Sequence, residues 1–205
     1  MKTVDRVQTL YRERNVSFYA SIAGPLLMGT VHLAATLKQF SWLTCNYCLF
    51  SYLLVLIRVL LAYLDRQEKK RRLYLIGALS LAVLAVPMTV AMVKTITEKD
   101  APVYFFYWMI YLYATYGTVK FILAVRSRHR ARKSGSAFQD VLSRLSLVTA
   151  AYTIQMMEFA LIATFDKDHS EAMIMMQFFT HGAIIILTLF EIVLLILKYV
   201  HSVDE

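Results

Sequence analysis

Polar and apolar positions along this chain alternate in long blocks rather than at every second or fourth residue. Six apolar runs emerge, residues 17 to 37, 43 to 64, 73 to 93, 103 to 125, 141 to 165 and 172 to 197, each bounded by a short polar or charged cluster. A run of about 20 residues matches the roughly 30 Å hydrocarbon core of a bilayer. In lipid every backbone amide must be satisfied within its own helix or a closed barrel. The roughly ten-residue alternation of a transmembrane barrel is missing, so each run is predicted to be a helix. The expected fold is all-α: a polytopic integral membrane protein of six transmembrane helices arranged as three hairpins.

Around this bundle, taken as residues 17 to 200, lie a segment of residues 1 to 16 and a short tail of residues 201 to 205. In the first segment Val4, Val7, Leu10 and Tyr11 recur at helical spacing beside Lys2, Arg6 and Arg12, the pattern of an amphipathic helix lying in the membrane interface. The first apolar run is longer than the roughly 7 to 15 residues of a cleaved signal core and is expected to be retained. Pro25 and Pro87 fall inside the first and third runs, where neighbouring helices tolerate a kink.

Composition strengthens the membrane reading. Of the 205 residues 59% are hydrophobic, against about 45–50% in a soluble domain, and the mean hydropathy is +0.54. The net charge of +8 sits on alternate sides of the runs. Lys2, Arg6, Arg12 and Arg14 precede the first run, "DRQEKKRR" and "RSRHRARK" follow the second and fourth, and Lys198 ends the sixth, while the other connections offer only Lys38, Lys94, Lys99 and Lys167. The positive-inside rule then places both termini in the cytoplasm, in a plasma or inner membrane. Anionic headgroups of the inner leaflet are the expected counter-charge; the basic segments lack interleaved aromatics, so nucleic acid is not an expected partner.

Outer turns of roughly 5 to 9 residues and a longest inner loop of about 15, ending in "KSGSAFQD", leave no room for a soluble catalytic or nucleotide-binding domain. No G-x-S-x-G, H-E-x-x-H or P-loop occurs, so an enzyme is disfavoured and no cofactor is expected. Candidate chemistry lies in the polar residues inside the runs, which sort by depth. At 1.5 Å per residue, Arg58, Lys120, Arg144 and Glu191 lie roughly 6 to 12 Å inside the cytoplasmic boundary. Long basic stems can snorkel to the headgroups, but Glu191 is short and negative and needs a cation, expected to be Arg58 or Lys120. The functional alternative is an inward-facing anion or proton site in which Glu191 competes with an incoming anion.

A second layer nearer the midplane holds His32, Gln155, Glu158 and His181. Gln155 and Glu158 are one turn apart on one face, expected to look inward. A carboxylate and two imidazoles at one depth could share protons near neutral pH, could ligate a divalent metal, or could serve as struts between helices. Deep in the fourth run, Tyr111, Tyr113 and Tyr116 would form a pocket wall for an amphipathic or cationic molecule, beyond an outer aromatic belt.

Cys45 and Cys48 in "TCNYC" have C-x-x-C spacing at the outer end of the second run. The placement resembles the quinone-reducing membrane disulfide enzymes, which relay electrons through a second cysteine pair that this chain lacks; a structural disulfide or two inert thiols are the alternatives. The stretch "AYLDRQEKKRRLYLIGALSLA" resembles the loop between helices 2 and 3 of major facilitator transporters in Asp65, Arg66, Arg71 and Arg72. Ala62 stands where that motif begins with glycine, Gln67 and Glu68 where it turns on one, and six runs replace twelve.

Polar layers at two depths favour a small transporter or channel moving an ion or small organic solute, proton-coupled and completed by a homo-oligomer or another membrane protein. A scaffold, accessory or sensor subunit and a thiol redox enzyme are the alternatives.

Overall fold

In the computed structural model, which describes residues 2–38, 40–67, 70–98, 107–165 and 171–202, the chain is all-helical, with no strand among the described residues. Six helices follow in order: α1 (Lys2–Lys38), α2 (Trp42–Asp65), α3 (Lys70–Glu98), α4 (Tyr107–Ser134), α5 (Ala137–Phe165) and α6 (Glu171–His201). Three are long and apolar enough to cross a membrane, over Thr44–Asp65, Lys70–Val90 and Met175–His201. Each apolar run coincides with one helix, apart from residues 103 to 106, which lie outside the described residues. Pro25 and Pro87 sit inside unbroken helices.

Side chains are distributed the opposite way from a water-soluble protein. Leu56, Leu60 and Tyr63 of α2, Val83 and Val86 of α3, and Ile186, Phe190 and Val193 of α6 face outward, while Arg58, Arg144, Gln155, His181 and Glu191 are buried. Such broad exposed apolar faces are unfavourable in water and stable in hydrocarbon. Between them lies one core, in which Leu54 and Leu61 of α2, Leu81 and Leu84 of α3, Val148 and Tyr152 of α5, and Ile184 and Leu195 of α6 meet.

Helix α5 is central, packing against α2, α3, α4 and α6. α1 lies on α2, where Gly29 brings the backbone so close that an added Cβ would stand 3.1 Å from the Ser51 Cβ. The two are pinned across that seam by Thr36 Oγ1 donating to Thr44 Oγ1 at 3.1 Å. The three-hairpin expectation fails for the middle pair. α3 and α4 are consecutive yet do not pack together among the described residues; α3 packs on α2, α5 and α6, and α4 packs on α5. Gly77 explains part of this choice, because the missing side chain admits Val141 of α5 and Leu195 of α6, at 2.6 and 3.4 Å from where its Cβ would be. Gly77→Ala is expected to cost about 1–3 kcal/mol through overpacking, read as a lower thermal unfolding midpoint in detergent.

Residues 2 to 16 are helical and continuous in α1 with the apolar run. One further expectation changes. The longest inner loop is mostly helix, since α4 continues through Ser134. Arginine, lysine and alanine are good helix formers, and positive charge is favourable at a helix C-terminus. Gly135 at φ 64° then stops α4 in the left-handed conformation that glycine adopts without strain. Ser136 caps α5 at once, its Oγ accepting the Gln139 N–H at 3.4 Å.

Candidate functional site

The four residues expected to share one cytoplasmic layer divide into two clusters. The first lies where α4, α5 and α6 meet. Arg144 donates from Nε to Asp140 Oδ2 at 3.2 Å and from Nη1 to Glu191 Oε2 at 2.5 Å. Arg128 reaches Asp140 Oδ1 and Glu191 Oε2, both at 3.3 Å, and Lys198 Nζ reaches Asp140 Oδ2 at 2.8 Å. The partners of Glu191 are therefore Arg144 and Arg128, not Arg58 or Lys120 as its depth suggested. Helix geometry is the reason: equal height does not mean equal azimuth, and the extension of α4 carries Arg128 over Glu191.

Within this cluster burial pushes the Asp140 carboxyl up, but the hydrogen-bonded Lys198 ammonium and the nearby Arg144 guanidinium outweigh that, and it titrates below the usual carboxylate range. A carboxyl held low in the folded state stabilises it above its ordinary value and loses that contribution as pH falls through the folded value. Asp140→Asn should therefore lower the unfolding midpoint at pH 6 to 7. The gap to the parent protein should close below about pH 4. Parallel thermal melts across pH check it, and a gap that persists in acid would contradict the assignment.

The second cluster joins α1, α2, α4 and α5. α1 and α4 do not pack backbone to backbone among the described residues; Arg58 of α2 reaches Ser21 of α1, and Tyr116 of α4 comes up to Gly24 of α1. Arg58, 3% exposed, donates from Nη1 to the Ser21 carbonyl of α1, and its Nη2 lies 3.5 Å from Ser146 Oγ of α5. Its Nε has no hydrogen-bond partner among the described residues. Lys120 donates to Thr153 Oγ1 at 2.9 Å and stands 5.4 Å from the centre of the Tyr116 ring. The Thr153 hydroxyl itself donates to the Thr149 carbonyl at 2.7 Å, so its lone pair is available to Lys120. Arg58 and Lys120 lie within electrostatic range of each other. Neither forms an ion pair with a carboxylate among the described residues. Gly24 makes room for this arrangement, as a Cβ there would stand 2.9 Å from the Tyr116 hydroxyl.

The expected midplane layer is brought together only in part. Gln155 Nε2 and His181 Nδ1 are 2.7 Å apart, both side chains fully buried. Gln155 Oε1, His181 Nε2 and the neighbouring Tyr152 hydroxyl have no partner among the described residues. Turning the Gln155 amide over only exchanges which of its two polar atoms is left over. Glu158, half-buried, accepts from Thr180 Oγ1 at 3.3 Å. His32 is buried against the Tyr47 ring at 5.3 Å, and Tyr47 in turn packs edge-on against Tyr152 at 5.8 Å. The three acid and imidazole groups do not assemble a metal site: among the described residues no three His, Cys, Asp or Glu side chains are placed to hold a metal ion.

Of the tyrosine wall, Tyr116 faces inward, whereas Tyr111 is 72% exposed on the outer surface of α4 and leaves the pocket. The Tyr113 side chain lies outside the described residues. Cys45 and Cys48 are free thiols, one turn apart and half-buried near the start of α2.

Sequence reasoning did not select Asp140, Arg128 or Lys198 for the site. Asp140 and Arg144 stand four residues apart, a pairing signal visible in the sequence; Arg128 and Lys198 carry no such local signal, since their partners lie on other helices. Comparison with protein-family models, with curated proteins and with solved structures found no match for this chain.

Proposed function

We propose that this chain is a small membrane transporter or channel for an anionic solute, its six helices crossing the bilayer with both termini in the cytoplasm. The observation that carries the reading is the pair Arg58 and Lys120, two cations enclosed within the bundle whose hydrogen bonds go to a carbonyl and hydroxyls. Enclosing a charge costs several kcal/mol unless an opposite charge repays it. In the Arg144 cluster two carboxylates do so. Around Arg58 and Lys120 the missing negative charge is supplied by the solute.

The rest of the path follows α5. Ser146, Thr149 and Thr153 share the face of α5 that meets Arg58 and Lys120 and climb about 10 Å along it, while Gln155, about 200° around the axis from Thr153, meets His181 of α6 instead. On that second face Gln155, His181 and Tyr152 leave polar atoms without a partner among the described residues, away from the anion held at Arg58 and Lys120. His181 and Glu158 supply titratable groups for a proton that travels with it.

Uptake into proteoliposomes tests this directly, with labelled chloride, phosphate, succinate and benzoate as probes. Flux of at least one of them above that of empty liposomes is expected, and it should be lost in Lys120→Met. Four flat traces would end the anion reading.

A further inference from the structure

A cavity of about 290 Å³ opens at the end of the bundle between the close of α4, the start of α5 and the close of α6. At about 30 Å³ for a water molecule, it holds a group much larger than a single solvent. Arg128, Arg132, Arg144 and Lys198 line it together with Asp140. Glu191 lies behind them, bonded to Arg128 and Arg144. Four cations against two carboxylates leave an excess of two positive charges. The excess has an address: Arg132 lines the cavity but makes no ion pair or hydrogen bond among the described residues, whereas Arg128, Arg144 and Lys198 are each held by a carboxylate.

Gly135 and Ser136 border the cavity at the start of α5. Arg132, one turn after Arg128 on α4, presents a planar fork that matches two oxygens of one phosphorus. A phosphate monoester carries about −1.5 to −2 charges near neutral pH, close to the excess in the cavity.

We infer that this cavity binds a phosphate monoester, held by Arg132 together with the ion-paired Arg128, Arg144 and Lys198. The inference is independent of the transport reading, since it needs only the cavity and its charges. The phosphate can come from a phospholipid headgroup at that membrane face or from a soluble phosphorylated compound, and both present the same group to Arg132.

The test is thermal unfolding of the detergent-purified full chain in phosphate-free buffer at matched ionic strength. The probes are dioctanoyl phosphatidic acid, dioctanoyl phosphatidylglycerol and glycerol 3-phosphate, applied to the parent protein, Arg132→Gln and Arg58→Gln. A ligand of the folded state raises its apparent stability by mass action. At least one monoester is expected to raise the midpoint more than the diester phosphatidylglycerol does. Arg132→Gln should weaken the apparent affinity on the order of tenfold, the loss of a charged hydrogen bond. Arg58→Gln should leave it unchanged. A shift with phosphatidic acid alone assigns a lipid headgroup, and a shift with glycerol 3-phosphate as well assigns a soluble ester. Because Arg132 is exposed and makes no structural bond, its replacement should leave the fold intact. The inference is overturned by no monoester shift at all, by an equal shift in Arg132→Gln, or by a shift lost in Arg58→Gln and kept in Arg132→Gln.

Discussion

Replacing Glu191 by alanine should cost this protein about 3–5 kcal/mol, the penalty of leaving a buried charge without its partner. Glu191 is 3% exposed and accepts from two guanidiniums on two helices. Without it, Arg144 keeps only Asp140, a carboxylate already shared with Arg128 and Lys198. Three cations would then crowd one negative charge at the junction of α4, α5 and α6. Glu191→Gln keeps shape and an acceptor oxygen but not the charge, so its loss should be smaller. Unfolding of the detergent-purified variants by heat or denaturant gives the order: parent, then Gln, then Ala. The double variant Glu191→Ala, Arg144→Met should recover part of the loss, because it removes the orphaned charge as well. A Glu191→Ala protein as stable as the parent would mean that the cluster contributes nothing to holding these helices together.

Arg58→Met should have the opposite balance, abolishing anion flux while leaving stability unchanged or raised by about 1–4 kcal/mol. An enclosed cation without a carboxylate is a liability to the fold, and an apolar side chain of similar length relieves it. Function and stability therefore separate at this position, which is what a binding site predicts and a strut does not. The paired measurement is proteoliposome uptake beside thermal unfolding of the same preparation. If Arg58→Met unfolded the protein, Arg58 would be a strut tying α2 to Ser21 of α1 and Ser146 of α5, and the proposed transport would lose the residue that carries it.

Length and hydropathy located the helices well because each apolar run is long enough to hold one continuous helix, and three of the six are long and apolar enough to cross a membrane. They were silent on which helix lies beside which. Depth along a helix can be counted, and it set Arg58, Lys120, Arg144 and Glu191 at one level; facing could not be counted across helices whose arrangement was unknown. Within one helix facing was available. Tyr111 and Tyr116 are five residues apart, about 140° around the axis, so they could not line one wall. Charge also misled at Arg128. In "RSRHRARK" a topological signal and a pair of side chains one turn apart, Arg128 and Arg132, are written in the same letters. Only the continuation of α4 to Ser134 separates the two roles.

That continuation has a mechanical side. Two residues, Gly135 and Ser136, join helices of 28 and 29 residues, which leaves the joint no slack. Tilting α4 must drag α5 with it or tear Ser136 from the start of α5. Gly135 borders the cavity lined by Arg128, Arg132 and Lys198, and well along the same two helices Lys120 and Thr153 bridge them again. Were the proposed phosphate monoester to wedge beside that joint, it would press on the one short link between α4 and α5, and the Lys120–Thr153 hydrogen bond farther along the same two helices would feel the strain.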